Sequence, residues 1–373
     1  MKLKLPVKLA PSPEQHAALL ATMERFNSAC EALAAVAFRE RCANKIVLQK
    51  LAYRDTRERF GLSAQLTIRA IAKVVGAYKR DRTRQPRFRP QGAVPYDERI
   101  MSWKGIERVS ILALGGRIIV PLRFGAYQAA RLDRAKGQAD LVYRDGVFFL
   151  YCTLDVPEPA PGEVEDYLGI DLGIVNLAAD SDGTLYSGAA VEHHRRVYAH
   201  RRRNLQRKGT KAARRKLRTI RRGQARYQAD TNHVIAKRVV AVAKDTARGI
   251  ALEALGGVRE RTTVRRRHRA RHANWAFSQL RGFVEYKARA AGVPVVAVDP
   301  RNTSRECPAC GQIDKANRPS QDRFLCTRCG LDGLPDAFAA RVIAARARVA
   351  VMRPLVSATE DPAPVVPGTS RLL

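Results

Sequence analysis

Residues 167–177 read Tyr-Leu-Gly-Ile-Asp-Leu-Gly-Ile-Val-Asn-Leu. Tyr167 to Asp171 is a short apolar run ending on an acid, with Gly169 and Gly173 on either side of Asp171, which predicts a strand that another backbone or a substrate can approach closely. Ile174 to Ala179 predicts a second strand and Thr184 to Ser187 a third, across an Asp182-Gly183 turn. The Pro-rich stretch from Pro157 to Gly162 just before them marks a joint, so a new domain opens here. An acid in an apolar strand is costly unless it is paired, metal-bound or turned to solvent.

Two further acids sit in comparable places. Glu253 lies inside Ile250-Ala-Leu-Glu-Ala-Leu255, and Asp336 follows Pro335 at the start of an apolar helical pattern. Taken singly, Asp171 and Glu253 read equally as acids on an exposed face, and Asp336 as a helix N-cap. Taken together, carboxylates from a first strand, a later strand and a following helix can converge at one edge of a sheet. There they can hold two divalent ions about 4 Å apart, one activating water and one stabilising the leaving oxygen. An oxygen-only set suits Mg²⁺ or Mn²⁺. The rivals are Asp166, Asp180 and Asp182, which read as turn or linker residues, and Asp299, which precedes Pro300 at a strand exit.

Outward from this centre, the first 160 residues have a different character. Lys2 to Leu9 alternates as a strand, and Ser12, Pro13 and Gln15 spell a capped helix start. Leu20, Met23, Phe26, Cys30, Leu33 and Val36 recur at helical spacing, and a second helix is expected from about Ser63 to Tyr78. After the Pro and Arg cluster 84–90 come short alternating runs, including Ile118 to Leu122 and a hairpin, Ala139 to Tyr143 and Val147 to Val156, turned by Asp145-Gly146. The pattern predicts an α+β multidomain chain, a β module with a helical insertion followed by an α/β domain.

The 373 residues carry 68 Lys and Arg against 35 Asp and Glu, a formal charge of +33, which points to a polyanionic partner. From His193 to Ala229 there is no acid at all, and the cations recur every one to four residues on what reads as long helices. Repulsion at that density is relieved by phosphates, so Arg195, Arg196, Arg201, Arg202, Arg203, Arg207, Lys208, Lys211, Arg214, Arg215 and Lys216 are the expected nucleic-acid contacts. Arg265, Arg266 and Arg267 join them from a second basic stretch. A solvated helix face is the plainer alternative. No apolar run approaches the ~20 residues that span a bilayer, and the first residues lack a signal-peptide core, so no membrane partner and an intracellular chain are expected.

Of seven cysteines, Cys30, Cys42 and Cys152 are scattered, while Cys307, Cys310, Cys326 and Cys329 form two C-x-x-C pairs fifteen residues apart. Each pair is followed by Gly311 or Gly330, which permits the tight turn that two thiolates on one tetrahedral ion require. A Zn²⁺ site is expected, and the scattered cysteines as buried apolar residues.

The 169–177 run, the Ile250 to Leu255 segment with its Glu, Thr303-Ser304 before Cys307-Pro-Ala-Cys-Gly311, the returning Cys326 to Gly330, and Asp336 with Ala339-Ala340 together resemble the TnpB family, transposon-encoded relatives of type V CRISPR effectors. The resemblance covers about residues 167–350 by motif. It implies an RNase H-like (RuvC) α/β nuclease domain at 161–300 and 330–352 with an inserted zinc ribbon at 301–330. Before these it implies a wedge-like, β-barrel-like module at 1–10 and 85–160 with a helical recognition insertion at 11–84, and residues 353–373 are expected to be a disordered tail. It also implies Asp171, Glu253 and Asp336 as Mg²⁺-binding catalytic acids and the four cysteines as zinc ligands. The implied partners are a guide RNA from the transposon end and double-stranded and displaced single-stranded DNA. The chain would be a monomer, with a dimer as the alternative, in the prokaryotic cytoplasm near the nucleoid. The family commonly carries Asn two residues after the third acid and near the next turn, where this chain has Phe338 and Val342. The other readings are a guided DNA-binding repressor without cleavage and a plain zinc-ribbon RNA-binding protein.

Overall fold

The computed structural model describes residues 1–254 and 277–352. The expected tail and the basic stretch holding Arg265, Arg266 and Arg267 lie outside the described residues. The chain divides into two compact units between Pro157 and Glu158.

The first unit is built on β1 (Lys2–Leu9), whose Leu5, Val7 and Leu9 point inward at period two. It pairs antiparallel along its whole length with β7 (Val147–Asp155) and at its end with β5 (Gly116–Arg123). With β2 (Val94–Tyr96), β3 (Met101–Lys104), β4 (Arg108–Ala113) and β6 (Ala135–Arg144) this makes a seven-stranded sheet in the order β2-β6-β7-β1-β5-β4-β3. Its two end strands follow one another in sequence, and the Tyr96 hydroxyl donates across to Leu112 O at 2.9 Å, so the sheet is nearly closed. Asp145 and Gly146 both take positive φ (52° and 83°), as a two-residue hairpin turn requires.

Three helices pack with this sheet in one core: α1 (Pro13–Arg39), α2 (Lys45–Phe60) and α3 (Ala64–Arg80). Ser12 and Gln15 form the expected capping box of α1. α2 was not foreseen, because it buries only Leu48, Ala52 and Thr56 and so writes a thin stripe into the sequence. A short α4 (Ala126–Leu132) links β5 to β6.

The second unit centres on a five-stranded sheet, order β10-β9-β8-β11-β12. β8 (Tyr167–Asp171), β11 (Gly249–Glu253) and β12 (Val295–Val298) run parallel, while β9 (Asn176–Asp180) and β10 (Leu185–Ser187) are antiparallel to their neighbours. Between β10 and β11 come the basic helices α5 (Ala189–Lys208) and α6 (Lys211–Ile220) and the long α7 (Gly223–Asp245). Leu168, Ile170, Ile250 and Leu252 share a core with α7 and α8 (Phe277–Ala291), whereas Tyr167 and Ala251 share one with α9 (Pro335–Met352). The strand period of two therefore puts 167, 169 and 171 and 251 and 253 on the α9 face.

Gly169 is where α9 presses on that face. A Cβ there would lie 1.9 Å from Ala340 O and 2.7 Å from Ala344 N, both helix backbone that cannot rotate away. Gly169→Ala is expected to cost about 3 kcal/mol, at the upper end for overpacking, and to lower the Tm of this unit by about 6 °C or more. Calorimetry reads this directly, and an unchanged Tm would contradict the close packing.

Candidate functional site

Parallel pairing of Leu252 with Ile170 sets Glu253 beside Asp171 at the carboxyl ends of adjacent central strands, on the face that α9 covers. Over Gly169 pass Ala340 and Ala344, and Arg348 reaches Asp166 at the start of β8, so α9 runs antiparallel to β8. Its first turn therefore returns to the strand ends and delivers Asp336.

Asp336 is the second residue of this helix and not its cap, which corrects that reading. Its side chain instead accepts from Asn176 Nδ2 at 2.9 Å and from Arg318 at 3.4 Å. The Asn176 amide, from β9, thus serves this acid, while Phe338 and Val342 are buried in the core. Glu253 is buried (7% exposed) and accepts from the Thr303 hydroxyl at 2.5 Å.

The electrostatics express this crowding. Asp171 is pushed up to about 8 by desolvation, then by the charges of Glu253 and Asp336, with Arg318 opposing. Burial also raises Glu253, against the Thr303 hydrogen bond and Arg346. Like charges held this close tend to keep a proton or a cation between them.

The sign of the pH effect follows. A carboxyl raised in the folded state contributes stability that is complete below its unfolded value, near 3.8, and is lost as pH rises through about 8. A divalent ion at these oxygens would take over from the proton. Saturating Mg²⁺ is therefore expected to stabilise the fold little at pH 5 and strongly at pH 9, by about 3 kcal/mol at a hundredfold excess over Kd, with a corresponding rise in Tm. Equal Tm shifts at both pH values would sink this coupling.

The rival acids are engaged elsewhere. Asp182 forms a bidentate pair with Arg248 (2.8 and 2.5 Å), Asp166 pairs with Arg348, and Asp299 is exposed and accepts from Arg301 N. Asp180 is a correction, since it is a buried strand residue (1% exposed) that ties the β9–β10 turn through Thr184 N.

The four cysteines come together, with Cys307 and Cys329 sulfurs 3.6 Å apart, Cys310 and Cys326 likewise, and all four within 4.8 Å of one another. Tetrahedral Zn–S bonds of about 2.3 Å place sulfurs a little under 4 Å apart, so the set fits that ion. Cys326 is already held down to about 6, chiefly by the Cys329 N–H. Among the described residues this is the one such group of potential metal ligands gathered so tightly. Cys30, Cys42 and Cys152 are buried, the first and last with thiols pushed up to about 12 by desolvation.

Of the described cations expected to meet nucleic acid, all but Arg195 are exposed, along α5 and α6, which between them bury only Ala213. Arg195 pairs with Glu192 at 2.6 Å, one residue before the acid-free run begins. Sequence reasoning missed the anchor of this hairpin: His194 stacks between Tyr198 and Tyr227, 4.4 and 4.2 Å away. Among the described residues no helix is long and apolar enough to cross a membrane.

A family model for a Cas12f1-like TNB domain matches residues 277–343, and one for the probable transposase OrfB_IS605 matches residues 150–255. The solved structure of a Cas12f1–sgRNA–target DNA complex superposes with a TM-score of 0.60 over 88% of this chain and 81% of that one, at 15% identity, which is a likeness of fold. The fold is thus of the Cas12f kind, a mixed α/β protein with a four-cysteine cluster. The CRISPR-associated endodeoxyribonucleases Cas12f1 of Syntrophomonas palmitatica and Sulfoacidibacillus thermotolerans are 29% and 30% identical over 48% and 50% of this chain. TnpB-like protein MJ0751 of Methanocaldococcus jannaschii is 36% identical over 27% of this chain and 36% of its own length. The matches to the two Cas12f1 proteins span 39% and 47% of their length. The chain is thus similar, over parts of its length, to the TnpB and Cas12f proteins.

Proposed function

We propose that this chain is an RNA-guided DNA endonuclease that hydrolyses phosphodiesters at Asp171, Glu253 and Asp336. The observation that carries the reading is the convergence of these acids on one face of the second unit's sheet, where burial and then the charges of Glu253 and Asp336 raise Asp171 to about 8. In this reading the five-stranded sheet with α7, α8 and α9 is a RuvC-type RNase H-like domain, residues 301–330 are an inserted zinc ribbon, and the first unit is a wedge-like module with a helical recognition insertion. Two divalent ions held by the acids would supply an activated water and charge neutralisation at the leaving oxygen.

The protein's own part is positioning. Asp171 stands beside Glu253 and Asp336 as their common neighbour, and Asn176 orients Asp336. The exposed cations of α5 and α6 hold nucleic acid by its backbone, and sequence is read by pairing between the guide and the target strand beside a short DNA motif.

The test is to express the protein with its flanking genomic DNA, sequence the copurifying RNA, and offer the complex a library with randomised flanks, with and without Mg²⁺. RNA from the element's end with Mg²⁺-dependent cutting beside one motif supports the reading. Guided binding without cutting replaces it by the repressor, and the absence of a specific RNA rejects guidance.

A further inference from the structure

We propose that Thr303 is a positioning residue for Glu253, so that the segment leading into the four-cysteine cluster belongs to the divalent-ion site. The proposal rests on the reading of Asp171, Glu253 and Asp336 as ion ligands. It adds a residue that no carboxylate motif contains and that lies 50 residues from the acid it serves.

A buried carboxylate needs hydrogen bonds, and a single flexible donor leaves its plane free to turn. Glu253 is the last residue of β11, and its buried carboxylate lies where the strand ends. Thr303, itself 5% exposed, stands with its hydroxyl 2.5 Å from Glu253 Oε1 and 3.2 Å from Pro300 O. A hydroxyl has one proton to give, and the ionised carboxylate at the shorter distance takes it. Among the described residues no hydrogen bond reaches Oε2. The geometry thus fixes one oxygen and leaves the other for an ion.

What makes Thr303 a fixed donor is the backbone around it. Arg346 of α9 donates to Asp299 O at 2.7 Å and Arg301 O at 2.8 Å and pairs with the Glu306 carboxylate. Asn302 adopts a left-handed φ of 60°, and its carbonyl accepts from Arg305 N and Glu306 N at 2.8 and 3.0 Å. Residues 299–306 are therefore held to the helix that also carries Asp336, and the β-branched side chain at 303 has few rotamers to explore. Glu253 and Asp336 are in this way referred to one rigid element.

Partners that orient a ligating carboxylate typically change metal affinity 10–100-fold when removed. The experiment titrates Mn²⁺ into the full-length protein, following the free-ion EPR signal, for wild type, Asp171→Ala, Thr303→Val, Thr303→Ala and Thr303→Ser. Zinc content and Tm are measured on each. The expected result is a site lost in Asp171→Ala and weakened about 10–100-fold in both Thr303→Val and Thr303→Ala, with zinc content unchanged, and recovered in Thr303→Ser, which keeps the donor. Wild-type affinity in either donor-less variant overturns the proposal. So does a Thr303→Ser variant as weak as Thr303→Val, which would make the side chain's volume the operative feature. If wild type shows no Mn²⁺ site that Asp171→Ala removes, the carboxylate reading itself fails, an outcome distinguishable from the failure of Thr303 alone.

Discussion

Asp171→Ala is expected to abolish Mg²⁺-dependent DNA cleavage, by about 10³-fold or more, while guided binding to DNA persists. Asp171 is the acid that burial and the charges of both others act on: Glu253 lies beside it on the adjacent strand and Asp336 comes from the first turn of α9. A ligand shared in this way cannot be replaced by its neighbours, and the loss of about 4 kcal/mol of charge stabilisation in the transition state corresponds to about a thousandfold in rate. The stability effect should have the opposite sign. Asp171 resists ionisation up to about pH 8, so at higher pH the folded protein without divalent ions bears an unfavourable charge. Asp171→Asn, which keeps the shape and removes the charge, is expected to melt higher than wild type in EDTA at pH 9 while cutting no better than the alanine variant. Paired cleavage assays and melting curves check both statements. Undiminished cutting by Asp171→Ala would reject the assignment outright.

The candidate acids stand out in the sequence because of where they lie. Asp171 and Glu253 each interrupt an apolar strand pattern, and a local violation of that kind is what a functional site leaves behind. The Asp145-Gly146 hairpin and the Ser12–Gln15 capping box were legible for the opposite reason, because local chemistry alone specifies them. The groups that orient the acids left no such mark. Asn176 is 160 residues from Asp336, Thr303 is 50 from Glu253, and Arg318 sits between the two cysteine pairs as one arginine among many. Each is an ordinary polar residue in its own neighbourhood, and only the crossing of α9 over β8 and β11 gives it a partner. The same holds for Glu192, which takes Arg195 out of the exposed basic set across a single helical turn. α2 was hidden differently: a helix burying three residues has no periodic stripe to read.

Cys307→Ser is expected to release zinc and to melt the segment between the two sites well before the rest of the second unit. The apolar support there is small. Cys307, Phe324, Cys326 and Phe338 make up the buried cluster, and the paired strands β13 (Phe324–Leu325) and β14 (Asp332–Gly333) have two residues each. So little apolar area does not offset the entropy of ordering the loop, and a structural Zn²⁺ worth about 10 kcal/mol or more in such peptides becomes its main source of stability. Serine is a poor ligand, and the three remaining sulfurs leave the tetrahedron open. The loss should spread in one direction. Phe338 packs edge-to-face on Phe324 at 5.3 Å in the first turns of α9, two residues from Asp336, and Arg318 reaches that acid from within the same loop. Melting the loop therefore strips Asp336 of one partner and uncovers the helix start that carries it, so cleavage should fall with zinc content, while the first unit, which has its own core, keeps its thermal transition. Zinc analysis, calorimetry and cleavage measured on one preparation test the chain of dependence. A Cys307→Ser protein with full zinc and an unchanged melting curve would contradict the metal assignment, and one that loses zinc yet cuts normally would sever the link from the cluster to Asp336.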